Sequence, residues 1–260
     1  MARFRVPRWP GSSDAARAIA ESRGLRFAAS VDPAEEALPS LVLTGTRKDV
    51  AATEGEPRVE LGNHGTRLSL QSDDFVPSRQ GYVAVRHGLA LPHLLVGYSG
   101  TVGAMTPLNV ANTALTLLSS FDENRAGVEG SGLWRFQQRA EEIALPPDAG
   151  FRAYAEAGDV PAARALLGGP AGSTVATLAG SFALEVDDGW TMAYSFFGDL
   201  VTDDAEVWDW ALSVASRVVD LARLWGAGPA FGEDLPFYTE QTIARPSKLD
   251  GSLRFLRGSV

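Results

Sequence analysis

Residues 182–196 read FALEVDDGWTMAYSF, and this stretch decides the fold. Large apolar side chains occupy every second position on both sides of an Asp-Gly turn signal, a pattern typical of a β-hairpin with one buried face, here over 181–197. A three-residue loop, Asp187-Asp188-Gly189, would place Val186 opposite Trp190 and gather the large apolar groups on that face. A two-residue loop would mix the faces. We therefore predict the three-residue loop, with its glycine at the left-handed position.

A helix is predicted directly after the hairpin, over 203–225. Asp203 and Glu206 have the spacing of a capping box at its start. Apolar residues then recur at helical spacing in a wide stripe, and Gly226 suits the left-handed residue that follows a helix. The hairpin and the helix each carry an apolar face too large to leave in water. We therefore expect them to pack together in an α+β arrangement.

The rest of the chain predicts shorter elements of both kinds. Residues 62–65, Gly-Asn-His-Gly, lie between short apolar runs and predict the turn of a second hairpin over 58–70. The polar stretch 46–57 predicts a loop. Strands are expected at 81–86, 91–96 and 151–155, and helices at 12–23, 161–167 and 173–179.

The fold class that follows is α+β, an antiparallel β-sheet with helices packed on one face. We expect two lobes of similar size that meet near residue 100. Residues 1–100 would form an N-terminal α+β lobe, 101–226 a C-terminal α+β lobe, and 227–260 a C-terminal tail.

Composition limits the possible functions. The chain has 260 residues, of which 45% are hydrophobic, and a net charge of −9. A negative charge of this size argues against nonspecific binding to nucleic acid or to an anionic membrane. The chain has no cysteine, which excludes disulfides, zinc–thiolate sites, iron–sulfur clusters and a cysteine nucleophile.

Two stretches bear on localisation. Residues 1–9 are basic but lack the apolar run of a signal peptide. Residues 87–121 contain no Asp, Glu, Lys or Arg, and their length would suit a membrane span. Their glycines, prolines and asparagines favour instead a buried strand, a glycine-rich loop and a short helix. We therefore expect a cytoplasmic protein without a membrane span.

The histidines His64, His87 and His93 are the main candidates for chemistry. His64 lies in the predicted turn, His87 at a strand end, and His93 on an apolar strand. No metal-binding spacing such as H-x-x-x-H occurs, so we expect no metal and no cofactor. A site assembled by the fold would draw on His64 with Asp73 and Asp74. Neither a G-x-S-x-G elbow nor a phosphate-binding glycine loop is present.

The C-terminal tail is basic on an otherwise acidic chain. It carries Arg245, Lys248, Arg254 and Arg257. Two interpretations are open, a strap along the surface of the domain and a docking peptide for a protein partner. Trp210 lies off the main apolar stripe of its helix, which makes it a second candidate for contact with a partner.

The chain carries, in this order, the motifs GYVAV (81–85), LPHLLV (91–96), FRAY (151–154), ARALL (163–167) and FALEVDDGW (182–190). Together they resemble a family of uncharacterised actinobacterial proteins, many of which carry a membrane anchor ahead of this region. The resemblance lies mainly at 81–96 and 151–210. Its motifs are aromatic and aliphatic core positions, so it implies a fold and a lineage but no reaction.

Three functional hypotheses follow. The lack of a catalytic motif and the basic tail favour a noncatalytic protein-binding, scaffold or accessory module. The alternative is a hydrolase-type enzyme with a histidine–carboxylate site near His64, His87 or His93, for which the fold must bring both groups into one cleft. A small-molecule binding module is a third hypothesis and would need an apolar cavity behind the sheet.

Overall fold

The structure is a computed structural model that describes residues 14–32, 34, 36–41, 46–69, 75–98, 136, 139–146, 148–195, 199–247 and 249. The described strands are β1 Arg26–Val31, β2 Arg47–Ala52, β3 Val59–Ser69, β4 Phe75–Arg86, β5 Leu94–Tyr98, β6 Ala140–Glu142, β7 Phe151–Glu156, β8 Phe182–Asp187 and β9 Trp190–Ser195. The described α-helices are α1 Asp14–Ser22, α2 Val160–Leu166, α3 Gly169–Ala179 and α4 Ala205–Ala222.

All nine strands belong to one antiparallel sheet, which confirms the predicted α+β class. The strand order is β1-β2-β3-β4-β9-β8-β5-β7-β6. Strands from both predicted lobes share this sheet, because β4 pairs with β9 and β5 pairs with β8. The division into two lobes and a tail stays a prediction.

The helices pack against one side of the sheet, here called the helix-covered face. Alternate residues of the central strands, such as Val83, Leu184 and Ala193, join Trp208 and other residues of α4 in one apolar core. The helix α4 begins at Ala205 because the Asp204 carboxylate accepts the Glu206 N–H at 3.0 Å. The predicted cap at Asp203 was therefore wrong by one residue.

The opposite side of the sheet is here called the loop-covered face. It holds the residues that alternate with those of the helix-covered face, among them Glu60, Tyr82, Glu185 and Tyr194, all nearly or fully buried. Residues 32–46 connect β1 to β2 and are here called the crossing loop; its described part at 36–41 covers this face. Its Leu38 packs in the cluster that contains both tyrosines. Both faces of the central sheet are therefore buried.

The hairpin β8–β9 has the two-residue loop, so the predicted register was wrong. Val186 pairs with Thr191 and Leu184 with Ala193. Asp188 and Gly189 have φ angles of 42° and 77°, as a type I′ turn requires and as an Asp-Gly sequence favours. The three-residue loop was predicted on the assumption that only one face is buried. Because both faces are buried, large apolar residues are needed on each, and mixing them carries no penalty.

The predicted turn at 62–65 and the predicted loop over 46–57 were also wrong. Residues 62–65 lie inside β3, where Gly62 pairs with Tyr82. A Cβ on Gly62 would lie 2.5 Å from the Tyr82 hydroxyl oxygen, so this glycine makes room for a ring rather than for a turn. The polar stretch contains β2, because Arg47 is neutralised inside the fold by Glu60.

Candidate functional site

Two carboxylates are buried in the centre of the loop-covered face. Glu60 lies on β3 and Glu185 on β8, and each is 0% exposed. A buried carboxylate is tolerated only when donors surround it. Tyr82 and Tyr194 lie between the two carboxylates, because they are register partners on the adjacent strands β4 and β9.

Glu185 is surrounded by four donors. Its Oε2 accepts the Tyr194 hydroxyl and the Ser40 hydroxyl, the latter at 3.0 Å. Its Oε1 accepts the Leu41 N–H at 2.8 Å and lies 3.3 Å from His93 Nε2. Two of these four donors, Ser40 and Leu41, belong to the crossing loop. Glu185 therefore fastens that loop to the sheet.

Glu60 has a comparable set of partners. The Tyr82 hydroxyl donates to its Oε1 at 2.5 Å, and Arg47 Nε lies 3.2 Å from the same oxygen. Arg58 donates to Oε2 at 3.4 Å and also pairs with Glu36 of the crossing loop. Arg58 thus links this carboxylate to the loop as well.

Both tyrosines act as donors because they stay protonated. Burial raises the pKa of Tyr82 and of Tyr194 well above 10.0, and the charge of the adjacent glutamate raises it further. A neutral hydroxyl beside an ionised carboxylate makes a charge-assisted hydrogen bond, which is stronger than a neutral one. The two tyrosine–glutamate hydrogen bonds are therefore strong, and they hold these four side chains in place on this face.

The fold brings His93 to two carboxylates, those of Glu185 and Asp187. The His93 side chain is 14% exposed, its Nδ1 lies 3.9 Å from Asp187 Oδ2, and its ring packs on Phe136 with centroids 4.5 Å apart. Burial raises the pKa of Asp187, with the His93 charge opposing the rise and Glu185 adding to it. His93, Asp187 and Glu185 thus form one end of the buried polar cluster, where Asp187 is 33% exposed.

The other two histidines lie elsewhere. His64 is 2% exposed and faces Gln80 in the register of β4, whereas His87 follows the far end of that strand, roughly 20 Å away at strand spacing. Burial, and then the Arg47 guanidinium, lowers the pKa of His64, and burial lowers the pKa of His87 to about 4. His87 is three strands from His93, about 14 Å.

The predicted site of His64 with acidic residues is not tested. Asp73 and Asp74 lie outside the described residues. Among the residues that are described, no three histidine or acidic side chains are arranged to hold a metal ion. A cleft of about 360 Å³ lies near the end of α1 and the start of β1, away from the histidines, lined by Glu21, Gly24, Leu25, Arg26, Phe27 and Glu54. The helices of the described part include none long and apolar enough to cross a bilayer.

The structure describes two of the five predicted partner-binding residues, Trp210 and Arg245. Trp210 is 4% exposed and packs on Phe182 with ring centroids 5.2 Å apart, so the expectation that it marks a surface was wrong. The helix α4 is buried over a wider part of its surface than its main apolar positions predict. The additional buried part includes Trp210. Arg245 Nη1 lies 3.5 Å from Ser181 Oγ. Lys248, Arg254 and Arg257 lie outside the described residues.

The described part of the tail is a strap on α4. Leu235 and Phe237 are 9% exposed and belong to the main core. Arg217 donates to the Glu240 carbonyl at 2.6 Å and to the Thr242 hydroxyl at 2.7 Å. The strap is therefore part of the folded domain.

The order of groups at Glu185 differs from that of a Ser–His–acid site. In such a site the histidine lies between the serine and the acid, and it takes the serine proton. Here the carboxylate lies in the middle, with Ser40 on one oxygen and His93 on the other. This geometry suits a structural clamp better than an activated serine.

The sequence analysis did not identify Glu60 or Glu185 as site residues. A signal was present, because each is a single acidic residue between large apolar neighbours in a strand, Val59-Glu60-Leu61 and Leu184-Glu185-Val186. In a sheet with one solvent-exposed face, such a residue is expected on the exposed face. The signal acquires meaning only when both faces are known to be buried.

Comparison of this chain with known proteins identifies no family. No protein family and no curated protein matches it. Among solved structures it is similar to the mycobacterial trehalose monomycolate transport factor A, TtfA, with 13% identity and a TM-score of 0.49. The match covers 83% of this chain and 97% of that one. A similarity this remote carries no argument about function, which must therefore be inferred from the residues of this chain. The resemblance to actinobacterial proteins stays a prediction.

Proposed function

We propose that the protein is a noncatalytic accessory module that binds another protein through its basic C-terminal stretch. The observation that carries this is the strap on α4. Arg223 Nε donates to the Phe231 carbonyl and the Tyr238 hydroxyl donates to Asp220, both at 2.7 Å. Together with the bonds from Arg217 to Thr242 and from Arg245 to Ser181, these bonds hold the chain on the domain as far as Arg245, so the basic stretch starts from a defined place.

The charge of the chain indicates what kind of partner fits. The whole chain has a net charge of −9, yet the last residues are locally basic. An acidic surface on a partner would be attracted by this stretch and repelled by the rest of the chain, which favours one orientation. The clamp geometry at Glu185 supports the noncatalytic part of the proposal.

The test uses charge removal rather than truncation. Ending the chain at Gly226 would delete Leu235 and Phe237 from the core and unfold the domain. We would place a photo-crosslinking residue at Phe255 and compare the wild type with the variant Lys248→Gln, Arg254→Gln, Arg257→Gln. The matched control, Arg26→Gln, Arg86→Gln, Arg152→Gln, removes the same charge at exposed ion pairs.

A discrete adduct in cells that is lost in the tail variant and kept in the control would support the proposal. An adduct that persists in the tail variant, or no adduct with the wild type, would contradict it.

A hydrolase is the second candidate, favoured by His93 alone. Its imidazole is partly exposed and is flanked by Glu185 and Asp187. The test is a panel of ester, phosphoester and glycoside substrates between pH 5 and pH 9. Hydrolysis that is abolished by His93→Ala and retained by His87→Ala would support this function. Activity that survives His93→Ala, or no turnover of any substrate, would exclude it.

A further inference from the structure

The crossing loop is much longer than its connection requires. β1 and β2 are adjacent antiparallel strands, which a hairpin of about two to five residues can join. The chain uses residues 32–46 instead. Connections longer than about 12 residues are uncommon in compact domains and are often functional. The length of this loop therefore calls for an explanation beyond connectivity.

The described part of the loop crosses the sheet one strand at a time. Glu36 pairs with Arg58 at the start of β3, and Leu38 packs over β4 and β9. Ser40 and Leu41 reach Glu185 on β8, about 19 Å from β2 at the usual strand spacing. The described part of the loop thus runs across four strands, and the sheet surface beneath it is here called the groove.

The loop is held in the way that proteins hold a bound peptide, with a tight turn in which the Ser40 N–H donates to the Leu38 carbonyl at 2.8 Å. One apolar side chain, Leu38, is 8% exposed and serves as the anchor. Two positions on, the Ser40 hydroxyl lies 3.0 Å from Glu185 Oε2 and 2.7 Å from the Tyr194 hydroxyl oxygen. The next residue offers its main-chain N–H to the same carboxylate. Main-chain bonds combined with a side-chain pocket are the basis of peptide recognition.

The sheet surface beneath the crossing loop, the floor of the groove, is more polar than it needs to be if the loop serves only to cover the sheet. Covering a sheet with apolar residues is usually at least as stable as burying charges beneath a loop. Here two glutamates and two tyrosines lie under one apolar anchor. Such a floor favours a bound segment whose hydrogen-bond donors lie at particular positions, as specific recognition requires.

We propose that the crossing loop occupies a peptide-binding groove of this protein and blocks it until a partner segment displaces the loop. The segment is a peptide with an apolar residue followed two positions later by serine, the pattern of Leu38-Pro39-Ser40-Leu41, and it makes the same tight turn at Pro39. This inference rests on the protein-binding role proposed above and adds a second, regulated contact to the basic tail.

The test asks whether the loop's own sequence binds from outside when the loop is weakened. The probe is a fluorescein-labelled synthetic peptide of residues 34–43, and its binding to the full chain is followed by fluorescence polarisation. The weakened variant is Leu38→Ala, Ser40→Ala. The matched control is Leu224→Ala, Ser22→Ala, two exposed positions away from this face.

We expect the weakened variant to bind the peptide on the order of tenfold to hundredfold more tightly than the wild type, because loss of a hydrogen bond to a carboxylate shifts the occupancy of the groove by that factor. The control should bind like the wild type. A peptide whose leucine and serine are replaced by aspartate and alanine should lose binding to every variant.

Binding to the weakened variant no tighter than to the wild type, with circular dichroism showing a native fold, would overturn the proposal. If that variant does not fold, Ser40→Ala alone decides: tighter peptide binding supports the inference and unchanged binding overturns it. The variant that lacks the basic tail charges should bind the peptide as the wild type does. A failure of the tail proposal is thereby distinguished from a failure of this one.

Discussion

The two faces of the central sheet are buried by different means. The helix-covered face packs residues such as Leu184 and Ala193 against α4, with contacts that are almost entirely apolar. The loop-covered face buries Glu60 and Glu185 beneath the crossing loop and holds that loop by hydrogen bonds. Apolar packing depends on volume and has no direction, whereas the polar face depends on the position of each donor. We infer that stability resides mainly on the first face and specificity on the second.

Removing Trp208 should have the largest effect of the changes considered. Its ring is 0% exposed against the sheet, and its indole N–H donates to the Thr202 carbonyl at 2.8 Å. Trp208→Ala should lower the free energy of unfolding by about 3–5 kcal/mol, because a large cavity opens in the core. Urea denaturation followed by circular dichroism measures it. Trp190→Ala, on the partly exposed edge of the loop-covered face, should cost clearly less, and equal losses would break the comparison.

Tyr194→Phe tests the polar face with a smaller change. The ring stays, but Glu185 loses one of its donors while remaining buried. The free energy of unfolding should fall by about 1.5–3 kcal/mol, the usual range for a hydrogen bond to a charged group. Tyr238→Phe is the control, since its hydroxyl also donates to a carboxylate, Asp220, but at a partly exposed position. A loss for Tyr194→Phe no larger than for the control would mean that Glu185 does not depend on this donor.

The contrast between the faces also explains what the sequence predicts well. Elements whose signal is apolar periodicity, such as α4 and the two strands of the β8–β9 hairpin, were predicted within a few residues. Two of the wrong predictions, the loop over 46–57 and the turn at 62–65, share one cause, the assumption that polar or glycine-rich stretches lie in water. Arg47 in β2 is buried because Glu60 neutralises it, and Gly62 is a strand residue because Tyr82 needs the space. Such pairs are distant in sequence, so no local pattern reveals them.

The same reason limits prediction of the candidate site. The sequence offers His93 as a candidate from its residue type, but the predicted hairpin places its partner Glu185 on the solvent side of a strand. The choice between a two-residue and a three-residue loop depends on whether the second face is covered. The covering residue, Leu38, lies far upstream in a loop without periodicity. The partner of His93 therefore follows from the fold and not from the spacing of residues.

The pH dependence of stability should include a contribution from His87. The Leu89 N–H donates to His87 Nδ1 at 3.1 Å, which leaves the proton on Nε2, 3.2 Å from the Thr191 hydroxyl oxygen. Burial lowers the pKa from 6.5 to about 4, so the unfolded chain binds more protons between these values. Stability should thus rise from pH 4 to pH 6.5 and lose this contribution as the pH falls.

His87→Asn keeps an acceptor for the Leu89 N–H and removes the titrating group, so it should flatten the rise in stability between pH 4 and pH 6.5. Chemical denaturation at a series of pH values measures this, and an NMR titration of the imidazole should give a midpoint near 4. A midpoint near 6.5 would show that the ring is open to water and that this end of the sheet is not closed.

The smallest effect should come from an ion pair that belongs to neither face. Arg26 and Glu54 are each 75% exposed in their side chains and lie 3.6 Å apart at the edge of the sheet. Water and salt screen such pairs, so Arg26→Gln should change the free energy of unfolding by no more than about 0.5 kcal/mol. Arg58→Gln is the informative counterpart, because Arg58 donates to the fully buried Glu60 and its loss leaves that carboxylate short of a donor. Urea denaturation of both variants at low and high salt separates the two cases. If the loss in Arg58→Gln also vanished at high salt, Glu60 would be accessible to ions, and the loop-covered face would be a screened surface instead of a buried polar layer.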